Sequence, residues 1–266
     1  MFKFKEKQYM SERQYRDVLS FLCIAFLLPL ISVYLQILIP NSTVKFLLYG
    51  IEAAAPSIAT IIITAKNRDV RGFFDENFRT KGMMWAVILP VVIAGCTMFL
   101  AKIMACFLLK EHLVLCSIST TQMIIVLWAL VAEELGWRGY LYPFLCNQMK
   151  QSYLAPLFVG VIWGVWHYHY FWFGEMEVPP AWFLMGCIVE SYIYSNLLKW
   201  SNDNLFSAMI YHFAWNLFVH VFAINPVDNR GNSLPYIILI VLETLFCFFT
   251  LKHNERTDRV YCENKK

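Results

Sequence analysis

Eight apolar runs, each near the length needed to cross a bilayer, follow one another along this chain with only short links between them. They lie at about 18–39, 46–65, 84–109, 121–142, 153–173, 180–198, 204–224 and 234–251. Some twenty apolar residues cross the hydrocarbon core as a helix, and backbone in hydrocarbon must satisfy its own hydrogen bonds. Runs of this length therefore select helices. Composition agrees, with 59% of the 266 residues apolar and 15% charged, against about 45–50% and about 25% in an average soluble domain. The expected fold is all-α, a polytopic membrane protein of about eight transmembrane helices. No internal repeat or low-complexity tract interrupts the pattern. It divides into three N-terminal helices (1–120), a core of four (121–225), and a last helix with its tail (226–266).

Charge on the links orients the bundle. With the N-terminus inside, the inner segments hold 17 Lys and Arg and the outer ones only Lys45, Lys110 and Arg230. Cytoplasmic loops carry this excess, so an even number of spans with both termini cytoplasmic is expected, in a bacterial type of cell membrane. One outer link is the acidic loop from Gly174 to Glu177. The polar start, followed by a long apolar run with no small-residue cleavage site, reads as a retained span. A net charge of +3 gives no reason to expect nucleic acid. The eight cysteines include no C-x-x-C pair and read as free, buried small hydrophobes. Cys262 stands one residue too far from the end for a prenylation box.

Within these runs, ionisable side chains cost roughly 2.5–3.5 kcal/mol each near a helix centre, so they mark places that pair or do chemistry. The fourth run carries Glu133, Glu134 and Arg138. Glu134 and Arg138, at i and i+4, share a helix face and can pair. Glu133 is turned by about 100° on an ideal helix, which leaves it the freer carboxylate. The fifth run holds His167, with His169 on another face. The seventh puts His212, Asn216 and His220 along one stripe, with His220 at the outer interface. Glu52, before Ala53-Ala54-Ala55-Pro56, suggests a kinked helix end. Glu52 and Lys102 lie close enough to ends to pair or snorkel, and both read as structural. Glu190 has no evident role, although it could line the same cavity.

Depth supports part of this set. At 1.5 Å per residue, Glu133 lies about 13 Å and His212 about 12 Å from the inner ends of their runs. His167 comes out shallower, by several ångströms. A carboxylate, two imidazoles and an amide on three helices suffice for hydrolysis. The carboxylate acts as general base on water, an imidazole orients the water, and His and Asn donors stabilise the developing oxyanion, worth roughly 2.7–4 kcal/mol per donor. The chain has no H-E-x-x-H, no G-x-S-x-G elbow and no phosphate-binding Gly loop.

Three motifs carry a family resemblance. They are Glu133-Glu134-Leu135-Gly136-Trp137-Arg138-Gly139, Trp163-Gly164-Val165-Trp166-His167, and His212-Phe213-Ala214-Trp215-Asn216. Over about 120–225 the chain resembles the CAAX prenyl protease type 2 family of intramembrane endopeptidases, also called CPBP or Abi. The patterns are E-E-x-x-x-R, F-x-x-x-H and H-x-x-x-N, and Trp163 departs from the second, which has Phe. The resemblance implies Glu133 as the water-activating base and His167 as its partner in holding the water. It implies His212 and Asn216 as the oxyanion pair, with Glu134 and Arg138 as a supporting ion pair. No resident cofactor is expected. The alternative is zinc on Glu133, His167 and His212, residue types that hold it elsewhere.

The expected partners are membrane lipid and a peptide or protein substrate at the membrane, either prenylated or secreted. A rival from another class is a non-catalytic protein that binds a bacteriocin and confers self-immunity. A third, a proton-coupled transporter, is disfavoured because neither broken helices nor paired inverted repeats are evident in the sequence.

Overall fold

The computed structural model describes residues 12–79, 82–149, 153–173 and 176–263, with side chains to 250. The N-terminal basic segment, Gly174 and Glu175 of the acidic loop, and the Cys262 side chain lie outside them. The described residues are helical throughout their regular structure. In chain order these are α1 (Glu12–Leu38), α2 (Ser42–Ala53), α3 (Ala55–Lys66), α4 (Val70–Asn77), α5 (Met83–Leu109) and α6 (Thr120–Ala132). There follow α7 (Glu134–Gly136), a π-helical turn (Trp137–Leu141), α8 (Tyr142–Gln148), α9 (Leu154–Trp166), α10 (Tyr168–Trp172) and α11 (Pro180–Trp200). The chain closes with α12 (Phe206–Val221), a 3₁₀ turn (Pro226–Asn229) and α13 (Leu234–Glu263).

The surface is that of a membrane protein. Large apolar side chains point outward along the long helices, among them Ile37, Phe107 and Phe249, the second 83% exposed. A contiguous apolar exterior of this kind needs a nonpolar environment. Inside, α5 packs on α12 and α13, α9 on α11, and α1 on α2 and α3. Phe21, Trp137, Trp166, Tyr194 and Tyr211 are the large fully buried rings of one core.

Eight uninterrupted spans are not found among the described residues. Among the described residues, α1, α5 and the segment Phe206–Asn229 are long and apolar enough to cross a membrane. The pair α2–α3 makes a fourth if its 62° bend is counted within one span. The bend falls at Ala54, two residues before Pro56, whose missing N–H removes a helical bond; this is the kink expected there. The other departures have local causes too. The fourth run breaks at Glu133 (φ −120°, ψ −35°) and continues as a π turn. The fifth breaks at His167.

The first of these breaks is stabilised from α3. Ser57 donates to the Val131 carbonyl at 2.8 Å, so a carbonyl beside the break is not left bare in an apolar setting; the Thr60 hydroxyl lies 3.1 Å from the Pro56 carbonyl of its own helix and 3.4 Å from that of Leu135. Gly136 allows this approach: a Cβ there would sit 2.5–2.7 Å from Pro56.

The cysteine expectation holds in part. Those described are all free, but only Cys106, Cys187 and Cys247 are buried, while Cys23, Cys96 and Cys146 are exposed. A small thiol on a lipid-facing surface carries no penalty that would force it inward.

Candidate active site

Glu133 sits in the helix break, with its backbone carbonyl accepting from the N–H groups of Gly136 (2.9 Å) and Trp137 (3.1 Å). The interruption changes the expected geometry, because the 100° offset assumed one continuous helix. Its carboxylate is held on one side only. The indole of Trp163 donates to Oε2 at 2.6 Å and that of Trp137 at 3.2 Å. Oε1 lies 3.9 Å from Nε2 of His212, adjacent but not hydrogen-bonded.

Glu134 faces the other way and is fully buried. Its Oε1 accepts from Arg138 at 3.0 Å, as the i, i+4 spacing predicts, and lies 2.8 Å from Nδ1 of His212. The guanidinium also reaches Ser191 Oγ at 3.3 Å and lies over the rings of Tyr194 (3.6 Å) and Trp163 (4.2 Å). The link from Glu134 to His212 is new relative to the sequence reading. It ties the ion pair directly to an imidazole of the site.

Ring protonation follows from these partners. Nδ1 of His167 lies 2.8 Å from the Trp163 carbonyl, which only accepts, so Nδ1 carries the proton. Neutral His167 then offers the lone pair of Nε2 as an acceptor. Nδ1 of His212 meets a carboxylate paired to a guanidinium, so it too carries a proton. An Nε2–H donor on His212 therefore requires the imidazolium, which has Glu134 on one side and Glu133 on the other. Asn216 spends one amide N–H on the His212 carbonyl at 3.0 Å and keeps the second, since an amide carries two.

Glu133, His167, His212 and Asn216 line one cavity of about 150 Å³. Depth along the runs left His167 apart from Glu133 and His212; in the structure it lines the same cavity, at the end of α9. The remaining walls are apolar and aromatic, chiefly Tyr49, Trp128 and Tyr170. Thus α2 contributes to the cavity alongside α6, α10 and α12. A sequence read span by span gave no reason to include Tyr49.

Other polar candidates go elsewhere. Glu52 is fully buried, accepts from Gln36 at 2.7 Å, and lies 3.0 Å from Nε2 of His169. His169 thus ties α10 to α2. Lys102 reaches Asn229 Oδ1 at 3.2 Å and does not snorkel, being buried. His220 pairs with Asp228. Glu190 is buried on α11 and is not among the residues lining the cavity. A buried acid that sequence reading passed over is Glu243, which accepts from Tyr211 at 3.3 Å. For zinc, no three His, Cys, Asp or Glu side chains among the described residues are grouped closely enough to hold a metal ion. The side chains as placed do not form the zinc set considered above.

Residues 117–218 match a known family. It is Rce1-like, type II CAAX prenyl endopeptidase. The matched stretch begins just before α6, ends within α12 and contains all three motifs, in agreement with the resemblance read from them. No curated protein matches the chain. The Rce1-like family is one of membrane proteases, hence hydrolases, which agrees with the lipid-facing exterior. The match supports, in general terms, a CAAX-type intramembrane protease, and with the apolar helices an integral membrane protein.

Proposed function

We propose that this protein is an intramembrane endopeptidase that hydrolyses a peptide bond in a membrane-associated substrate, prenylated or secreted, with Glu133 as general base. The observation that carries the reading is the meeting of Glu133, His167 and the α12 pair His212 and Asn216, from three parts of the chain, around one cavity.

In the proposed reaction, Oε1 of Glu133 takes a proton from water while His167 Nε2 accepts the water's second hydrogen as a hydrogen bond. The water oxygen bonds to the scissile carbonyl carbon, and the negative charge moves to the carbonyl oxygen. His212 and the free N–H of Asn216 donate to that oxygen. The carbonyl re-forms as the C–N bond breaks, and the proton on Glu133 passes to the departing amine. Glu134, itself held by Arg138, keeps the His212 ring oriented and places a carboxylate against its Nδ1. No metal takes part in this scheme. We place both termini in the cytoplasm of a bacterial type of cell.

Cleavage in proteoliposomes tests the scheme. Glu133→Gln is expected to lower the rate by about 10²–10⁴-fold, the usual contribution of a general base, and full cleavage by that variant would overturn it. A chelator is expected to leave activity unchanged; loss on chelation and recovery with zinc would favour the metal alternative. Protection against a secreted peptide that survives Glu133→Ala and His212→Ala would favour the non-catalytic immunity reading.

A further inference from the structure

The two indoles on Glu133 point to a function beyond packing. Trp137 and Trp163 come from different elements, the π turn and α9, and yet both N–H groups end on the same oxygen, Oε2. Each indole has a single donor and no acceptor, so neither can serve the other oxygen at the same time. Oε1 is left toward His212 and the cavity. All three side chains are buried, so water does not compete for these bonds. Trp163 also stands where the family pattern has Phe, a ring of related shape that has nothing to donate.

We propose that Trp163, assisted by Trp137, is a positioning residue that pins Oε2 of Glu133 and so presents Oε1 as the atom that takes the proton. The inference rests on Glu133 being the base. It assigns the work to one of the two carboxylate oxygens and explains why the carboxylate sits in a helix break. There the single turn of α7 brings Trp137 Nε1 back onto the side chain four residues earlier. Trp163 would keep its ring contact with Arg138 if replaced by Phe, so that substitution removes the donor while retaining most of the packing.

Two measurements test this. In the first, Trp163→Phe and the isosteric replacement of Trp163 by 3-benzothienylalanine, which has sulfur in place of N–H, are assayed for cleavage in proteoliposomes. The expected result is a fall in kcat on the order of 10–100-fold, the scale of a mispositioned reacting group, with KM within about twofold. Full kcat in the benzothienyl protein would overturn the proposal, and its identical shape keeps the test valid if the Phe variant folds poorly. The second needs no turnover. Ultraviolet resonance Raman of the indole N–H is compared between wild type and Glu133→Ala, with a shift toward weaker hydrogen bonding expected. The shift should diminish when the pair is repeated with Trp163→Phe. An unshifted band would overturn the clamp, and this arm decides the matter even if wild type cleaves no substrate, in which case the protease reading itself fails.

Discussion

Glu133 and Glu134 are neighbours in sequence with opposite surroundings. Glu134 is bound to a guanidinium and an imidazole with no route to the cavity, while Glu133 keeps one oxygen facing it. Removing charge from each should therefore read differently. Glu134→Gln leaves the buried Arg138 cation without its counter-charge, a loss of about 3–5 kcal/mol for breaking such a pair. Its thermal unfolding midpoint in detergent should drop clearly below wild type. Glu133→Gln keeps an oxygen for the two indoles and should unfold near the wild-type temperature while losing activity. A reversed order would mean that the two roles are exchanged. The Glu134–Arg138 pair was legible from spacing alone, because i, i+4 contact is a local property of a helix. The indole bonds were not. An aromatic ring in an apolar run reads as packing, and only a partner thirty residues away shows that the N–H of Trp163 is in use.

At the scale of elements, the site is made by interruptions. The carboxylate stands where α6 ends and the first imidazole where α9 ends, so both functional groups sit at breaks in runs expected to be continuous. Apolarity over about twenty residues showed where helices would form but not where they would yield. The reason is that the break at Glu133 is supported by the Ser57 hydroxyl and by Pro56 packed on Gly136, some 75 positions upstream. The bend at Ala54 was legible, since its cause, Pro56, is local. Glycine substitutions separate the two kinds of position. Gly136→Ala places a Cβ against Pro56 backbone at 2.7 Å, and overpacking of this type costs typically 1–3 kcal/mol. It should lower both the unfolding midpoint and the cleavage rate, although Gly136 does not line the cavity. Gly50→Ala meets nothing nearer than 3.9 Å. Within a helix that exchange is worth roughly 0.5–1 kcal/mol in favour of alanine, so its midpoint should hold or rise. Equal effects at both positions would remove α3 as the support of the break.

For the whole molecule, the exterior and the distribution of charge make separate statements. The outward Ile37, Phe107 and Phe249 show a body built for lipid. The 17 Lys and Arg expected on the inner segments against three on the outer ones are the ground for the orientation proposed above. The proposed orientation puts both ends on one side, so reporters fused to the N- and C-termini should both be active in the cytoplasm. Reporters on opposite sides would require an odd number of crossings and would overturn that orientation. Helix length does not decide the number, because bent and interrupted helices cross with fewer continuous turns than a straight span.

The setting of Arg138 has a consequence for what evolution can exchange there. Its flat head lies against Tyr194 and Trp163 while its edge serves Glu134 and Ser191. Lysine would bring the same unit of electricity on a round, strongly hydrated tip, unable to lie between two rings or to fork toward two acceptors. What this position selects is a shape, and a swap that looks conservative on a charge tally would unseat the imidazole one contact further on.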